Sequence, residues 1–95
     1  MIELLTELAY IYLQTGNSYR ADDGREYFKD DDQNALMASC LCDKYLITES
    51  GTPKWDNIKK LRNYGYRVFP GEKDGFGWLT GCVQKNGDSR ILVFG

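Results

Sequence analysis

The chain has 95 residues and a formal net charge of −2, a length that allows one domain and not two. Apolar residues make up 42% and charged residues 27%, proportions that are typical of a globular protein and exclude a disordered one. A chain of this size forms one modest core with little room to enclose a large cofactor. We therefore expect a single compact domain over residues 1–95 and no cofactor.

The first apolar segment lacks the features of a targeting signal. Glu3 and Glu7 interrupt it, no basic region precedes it, and it is too short to cross a bilayer. The chain contains three cysteines, an odd number that favours free thiols in a reducing compartment. These observations predict a cytoplasmic protein without a membrane partner.

Charge is distributed unevenly along the chain. Residues 1–53 carry four basic and ten acidic side chains, whereas residues 54–95 carry eight basic and four acidic ones. Aromatic residues make up 14%, and tyrosine and tryptophan are favoured at binding surfaces. Two interpretations stay open for both features: a binding surface, or solvated charges around a core filled with aromatic rings.

Residues 2–15 have the pattern of a helix whose apolar positions cover about half of its circumference. Such a face is wider than a surface helix needs for packing on one neighbour. The helix is therefore expected either to lie between two layers of its own domain or to form a homodimer contact. Gly16 and Asn17 are suited to end it.

The polar segment 17–32 is followed by a second predicted helix. Asp23 and Gly24 fit a tight turn, so a short hairpin and a loop are both open for this segment. Asp31 or Asp32 can cap a helix that runs to about Tyr45. We expect this helix to be central, because one of its sides carries small residues that allow close packing. These residues are Ala35, Ala38, Ser39 and Cys42.

A third helix is predicted after the short extended segment 46–48. Thr52 is a suitable cap, Pro53 fits the first helical position, and Gly65 fits the position after the end. The side chains expected to point inward are those of Trp55, Ile58 and Leu61.

The last third of the chain has the alternation of β-strands. Asn86-Gly87 is a strong hairpin signal, and a two-residue turn there pairs Lys85 with Asp88 and Cys82 with Ile91. The predicted fold is α+β, with about three helices packed on a C-terminal three-stranded antiparallel meander over 66–70, 76–85 and 89–94. Gly77 and Gly81 leave one face of the second strand open to a packed element of the fold or to a ligand.

Catalytic and metal-binding patterns are absent from the sequence. The chain has no histidine, which removes Ser-His and Cys-His nucleophile pairs, and we expect no enzyme. Cys40 and Cys42 diverge on a helix, and with Cys82 they are one ligand short of a closed zinc site. The run 30–34 opens like a calcium loop, but Ala35 stands where glycine is required, so no metal is predicted.

The leading hypothesis is a small non-catalytic protein-binding domain, an inhibitor or regulator comparable to the anti-defence proteins of mobile elements. Its acidic segment and exposed aromatic residues would make the contact. The residues assigned to this contact are Asp22, Asp23, Glu26, Tyr27, Asp30, Asp31 and Asp32.

Two other functions stay open. The first is nucleic-acid binding by a winged-helix-like arrangement, in which the basic third helix and the hairpin contact phosphates. The residues assigned to it are Lys54, Lys59, Lys60, Arg62, Arg67 and Lys73. The second is a small-ligand or enzymatic site on the glycine-bearing face of the sheet.

Overall fold

A computed structural model of the chain describes residues 1–71 and 79–95. The elements follow one another as helix α1, strands β1 and β2, helices α2 and α3, and strands β3, β4 and β5. Their bounds are Ile2–Leu13 for α1, Ser18–Arg20 for β1, Glu26–Phe28 for β2, Gln33–Leu46 for α2, Trp55–Asn63 for α3, Tyr66–Phe69 for β3, Gly81–Lys85 for β4 and Arg90–Phe94 for β5.

The strands form one five-stranded sheet in the order β1-β2-β5-β4-β3. The pair β2–β5 is parallel, and the other pairs are antiparallel. The predicted α+β class with three helices is confirmed, but the three-stranded antiparallel meander is wrong, because the hairpin β1–β2 extends the sheet beside β5. Strands of three residues are too short to show a period in the sequence.

The hairpin β4–β5 is confirmed, but its predicted register is wrong by two residues. Cys82 pairs with Val93 rather than with Ile91. The Asp88 amide donates to the Lys85 carbonyl at 3.0 Å, and the Asp88 carboxylate accepts the Arg90 amide at 2.9 Å, so residues 86–89 form the loop. A shift of two residues keeps every side chain on its predicted face of the sheet.

The predicted bounds of the strands were too long. Strand β3 ends at Phe69 instead of residue 70, β5 begins at Arg90 instead of residue 89, and β4 begins at Gly81. The predicted start of the middle strand at residue 76, together with Gly77, lies outside the described residues.

Helix boundaries follow local hydrogen bonds. The Asp32 carboxylate accepts the amides of Asn34 and Ala35 at 2.9 and 3.0 Å, which confirms the predicted cap of α2. Helix α1 ends at Leu13 rather than residue 15, because Gln14 is already extended.

The predicted start of α3 at Thr52-Pro53 is wrong. Pro53 forms an isolated antiparallel bridge with Ile47, and the Thr52 amide donates to the Thr48 hydroxyl at 3.1 Å. These contacts hold the segment in a turn, so the helix begins at Trp55. Trp55 therefore stands in the first turn and is 47% exposed, contrary to the prediction that it points inward.

The core lies between the three helices and one face of the sheet. Helix α2 turns its small residues inward, with Ala38 and Cys42 fully buried, while Leu36 and Met37 are more than half exposed. This confirms the predicted close approach of α2, since small side chains let its backbone lie near α1 and β5.

Arg90 ties the end of α1 to the hairpin β4–β5. Its guanidinium donates to the carbonyls of Tyr12 and Gln14, to the Asn17 amide oxygen and to the Asp88 carboxylate. It also lies over the Tyr12 ring, with 5.6 Å between the guanidinium carbon and the ring centroid. A largely buried charge is tolerated at this position because its donors are used.

Candidate interaction site

The face of the sheet opposite the helices is built from the alternate residues of all five strands. The strand pairing aligns two rows across it, because directly paired residues point to the same side. The longer row holds Tyr19, Tyr27, Ile91, Gln84 and Arg67, and the shorter row holds Val93, Cys82 and Phe69. We call this surface the open face.

The open face exposes large apolar side chains. Tyr19 is 47% exposed, Phe69 48% and Val93 44%. Leu36 of α2 extends this apolar surface at one end, where it shares a depression of about 170 Å³ with Tyr27 and Val93. None of the described helices covers the open face, since all three pack on the opposite side with Val68, Val83 and Leu92. Contiguous apolar surface of this kind is typical of interaction sites.

A groove of about 570 Å³ crosses the open face between the hairpin β1–β2 and strand β3, and at the hairpin it reaches Arg20 and Glu26, which belong to the paired row of Arg90 on the helix side of the sheet. We call it the arginine groove, because three arginines are among its described lining residues. Phe69, Cys82 and Ile91 contribute apolar surface to it. Its charged lining residues are Arg20, Arg25, Glu26 and Arg67.

The charges of the groove are held by local contacts. The Glu26 carboxylate accepts the Ser18 and Ser89 hydroxyls at 2.6 and 2.7 Å, and these bonds hold its pKa below the usual range. Burial raises the pKa of the Cys82 thiol, and the positive charge of Arg25 opposes that rise. The groove therefore holds ionised groups of both signs with an excess of positive charge.

Arg67 and Arg20 are oriented by contacts to neighbouring groups. The guanidinium carbon of Arg67 lies 5.3 Å from the centroid of the Phe69 ring, a cation–π geometry. Arg20 donates one hydrogen bond to the Gly24 carbonyl at 2.7 Å. A guanidinium has five N–H donors, and this bond, the one that the described residues accept from the Arg20 side chain, uses only part of that capacity.

The structure divides the predicted acidic contact into two groups at opposite ends of β2. Asp22 and Asp23 lie in the β1–β2 loop, whereas Asp30, Asp31 and Asp32 lie between β2 and α2. Asp32 serves as the cap of α2. Of the predicted set, Asp22, Asp23, Asp30 and Asp31 are exposed.

Asp23 and Tyr27 are joined within the first group. The Asp23 carboxylate accepts the Arg25 amide at 2.9 Å and the Tyr27 hydroxyl at 2.8 Å. These bonds lower the pKa of Asp23, and the bond to Asp23 raises the pKa of Tyr27. The Tyr27 ring is thereby fixed beside Tyr19, with 6.2 Å between the ring centroids.

The predicted basic set is also divided. Lys59 and Lys60 are exposed on α3, which lies on the covered side of the sheet, whereas Arg67 projects from the open face. Arg62 donates to the Val68 carbonyl at 2.8 Å, and with Arg67 it lines a depression of about 370 Å³ beside β3. The Lys54 ammonium donates to the Lys44 carbonyl at 3.2 Å. Lys73 lies outside the described residues.

Neither the cysteines nor Gly81 adds a site. Cys40 is exposed, Cys42 buried and Cys82 half-buried, and no metal-ligating cluster of three or more residues occurs within 1–71 and 79–95. A Cβ atom on Gly81 would lie 2.5 Å from the Phe94 ring and 2.8 Å from the Phe69 carbonyl oxygen. The space beside Gly81 is therefore filled by the fold itself.

Sequence reasoning did not single out the open face, although part of its signal was present. The alternation in Tyr66–Phe69 separates two inward residues, Tyr66 and Val68, from two outward ones, Arg67 and Phe69. The missing information was the pairing of β2 with β5, which brings Tyr27 next to Ile91.

No family model, curated protein or solved structure matches the chain. In the part of the chain that the structure describes, no helix has the length and apolar character needed to cross a membrane. The surface itself is therefore the basis for a functional argument.

Proposed function

We propose that the chain is a small non-catalytic protein-binding domain that docks through the open face. The observation that carries the proposal is the exposure of Tyr19, Phe69 and Val93 on a sheet whose other side is packed by helices. Exposed aromatic residues beside arginines form the composition that binding hot spots favour.

The acidic residues belong to this proposal as flanking contacts. Asp22 and Asp23 stand on the hairpin that borders the arginine groove, and exposed charges at the edge of an interface act mainly on association rate and specificity. A role as inhibitor or regulator, including one for a mobile element, is proposed as the use of this docking. It is tested by adding the purified chain to an activity assay of the captured partner.

The test of the docking surface is affinity capture from a lysate of the source organism or its host. The bait variant Phe69→Ser/Val93→Ser removes apolar area from the open face, and Met37→Ser/Tyr64→Ser removes exposed apolar side chains outside both the open face and α1. We expect the wild type and the second variant to recover the same protein by mass spectrometry, and the first variant to lose it. Equal recovery by all three baits would refute docking through the open face.

A homodimer through helix 2–15 is a separate proposal about the same chain. The buried side of α1 uses Leu4, Leu8 and Ile11 in the domain core, while Ile2 and Leu13 remain 81% and 78% exposed on the other side. We expect light scattering to show a dimer at high concentration that Leu13→Ser weakens. A strict monomer at every concentration would exclude it.

A further inference from the structure

We infer that the arginine groove binds an acidic protein segment. The guanidinium groups would hold a carboxylate of that segment, and one of its apolar side chains would pack on the floor of the groove, which is formed by Phe69, Cys82 and Ile91. This inference rests on the proposed function, since it names the chemistry of the partner at the same surface. It concerns the groove alone and not the remainder of the open face.

The excess positive charge of the groove favours a negatively charged ligand. Three guanidinium groups face one carboxylate among its described lining residues, and that carboxylate, Glu26, is already bonded to two serine hydroxyls. Arg25 lines the same groove as Cys82, and its positive charge opposes the rise in the pKa of the Cys82 thiol. A carboxylate of the partner would meet planar donors that can bind it in a bidentate manner.

The floor selects the second element of the ligand. Phe69, Cys82 and Ile91 present apolar surface between the charged walls, and Phe69 is already stacked with Arg67. Burial of an apolar side chain on this floor would exclude water from the ion pairs beside it. Such desolvation strengthens a charge-assisted hydrogen bond whose partners are both present.

The same surface disfavours a continuous polyanion. Asp22, Asp23 and Glu26 stand on the hairpin that borders the groove, and the whole chain carries a net charge of −2. A phosphodiester backbone would bring successive negative charges past these carboxylates, whereas a peptide can place one carboxylate at each arginine and none beside the aspartates. Point charges of both signs therefore fit a protein segment better than a nucleic acid.

The experiment is selection of the purified chain against a random dodecapeptide display library. We expect the enriched peptides to carry aspartate or glutamate next to an apolar residue. The binding of one such synthetic peptide, labelled with fluorescein, is then measured by anisotropy. We expect Arg25→Glu/Arg67→Glu to raise the Kd of the peptide by about tenfold or more. A tenfold change corresponds to a loss of about 1.4 kcal/mol of binding free energy.

Two controls define the role of charge. Lys59→Glu/Lys60→Glu makes the same change in net charge on exposed residues of α3, away from the groove. This variant should bind the peptide with a Kd within about twofold of the wild type at physiological salt, because charges farther apart than the Debye length of about 8 Å are screened. A peptide with lysine in place of its acidic residues should bind the Arg25→Glu/Arg67→Glu variant better than the wild type. Circular dichroism of each variant confirms that it is folded.

The outcomes separate the inference from the proposed function. Peptides without acidic enrichment, or an affinity unchanged by Arg25→Glu/Arg67→Glu, would overturn the acidic ligand, while docking stands if Phe69→Ser/Val93→Ser still abolishes binding. Absence of any selected peptide would overturn the acidic ligand alone, because docking is tested separately by the lysate capture. Peptide binding that is unchanged both by Arg25→Glu/Arg67→Glu and by Phe69→Ser/Val93→Ser, together with equal recovery by all baits, would overturn both. Fluorescent oligo-dT or oligo-rU that binds through Arg25 and Arg67 with a steep loss in salt would assign the groove to nucleic acid instead.

Discussion

The two faces of the sheet are made by the same strands and have opposite chemistry. On the covered face, Val68, Val83 and Leu92 are almost fully buried against the helices, and the charge of Arg90 is used by carbonyls and a carboxylate. On the open face, Phe69 remains half exposed and Arg67 lies against its ring. The difference shows that an aromatic residue or an arginine contributes to the folded core on one face and stays exposed to solvent on the other.

This comparison predicts how equal substitutions should differ in effect. Side chains of the covered face are surrounded by protein atoms, so their removal leaves cavities or unpaired polar groups. Side chains of the open face face solvent in the monomer, so their removal costs little until a partner is bound. Phe94 and Phe69, and likewise Arg90 and Arg67, form matched pairs for such experiments.

The largest difference is expected between Phe94→Ala and Phe69→Ala. Phe94 is 2% exposed, so the first substitution should lower the free energy of unfolding by about 3–5 kcal/mol. Phe69 is 48% exposed, and its replacement should lower it by about 1 kcal/mol or less, including the lost stacking of Arg67. Urea unfolding followed by tryptophan fluorescence measures both, and equal losses would contradict the assignment of the faces.

The arginine pair should show a smaller contrast. Arg90→Met removes charge-assisted bonds to Asp88, Tyr12 and Gln14, and we expect a loss of about 2–3 kcal/mol. Arg67→Met should change the free energy of unfolding by about 0.5 kcal/mol or less. The urea midpoints of the two variants give the comparison, and a loss of stability for Arg67→Met as large as that for Arg90→Met would show that Arg67 also serves the fold.

Local patterns in the sequence predicted those parts of the fold that depend on neighbouring residues. Asp32 caps α2 because a carboxylate two or three residues before free amides can reach them. The alternation in Tyr66–Phe69 determines which side chains point inward, and this survived the error in register because a shift of two residues preserves the face.

Other parts depended on contacts between distant segments. Glu26 pairs with Arg90, and a strand of three residues carries no local signal for this parallel pairing. The start of α3 depended on the bridge between Ile47 and Pro53, which competes with helix formation. The arginine groove combines both kinds of information, since Arg67 and Phe69 follow from alternation but Arg25 reaches them only through the pairing of β2 with β5, which the sequence did not predict.

The smallest difference in the free energy of unfolding is expected between two substitutions of aspartates outside the open face, Asp88→Asn and Asp43→Asn. The hydrogen bond from the Arg90 side chain holds the pKa of Asp88 below its usual value, whereas burial raises the pKa of Asp43. The Asp88 carboxylate therefore stabilises the fold above its unfolded-state pKa of about 3.9, and this contribution is lost as the pH falls through the lower folded-state pKa. The contribution of Asp43 to stability has the opposite sign. Its ionisation destabilises the fold as the pH rises above the unfolded-state pKa of about 3.9, and the full loss is reached above its raised folded-state pKa.

At pH 7, Asp88→Asn should therefore lower the free energy of unfolding, by about 1 kcal/mol or less because the ion pair is partly exposed to solvent. Asp43→Asn should leave it unchanged or raise it, since the amide side chain carries no charge that burial would penalise. Both differences from the wild type should shrink as the pH is lowered below about 3.9, where the unfolded carboxylates are protonated. Urea unfolding from pH 7 to pH 3 measures the two curves. A stabilising Asp88→Asn would show that the bond to Arg90 does not hold the β4–β5 loop, and the role of Arg90 on the covered face would then rest on its carbonyl contacts alone.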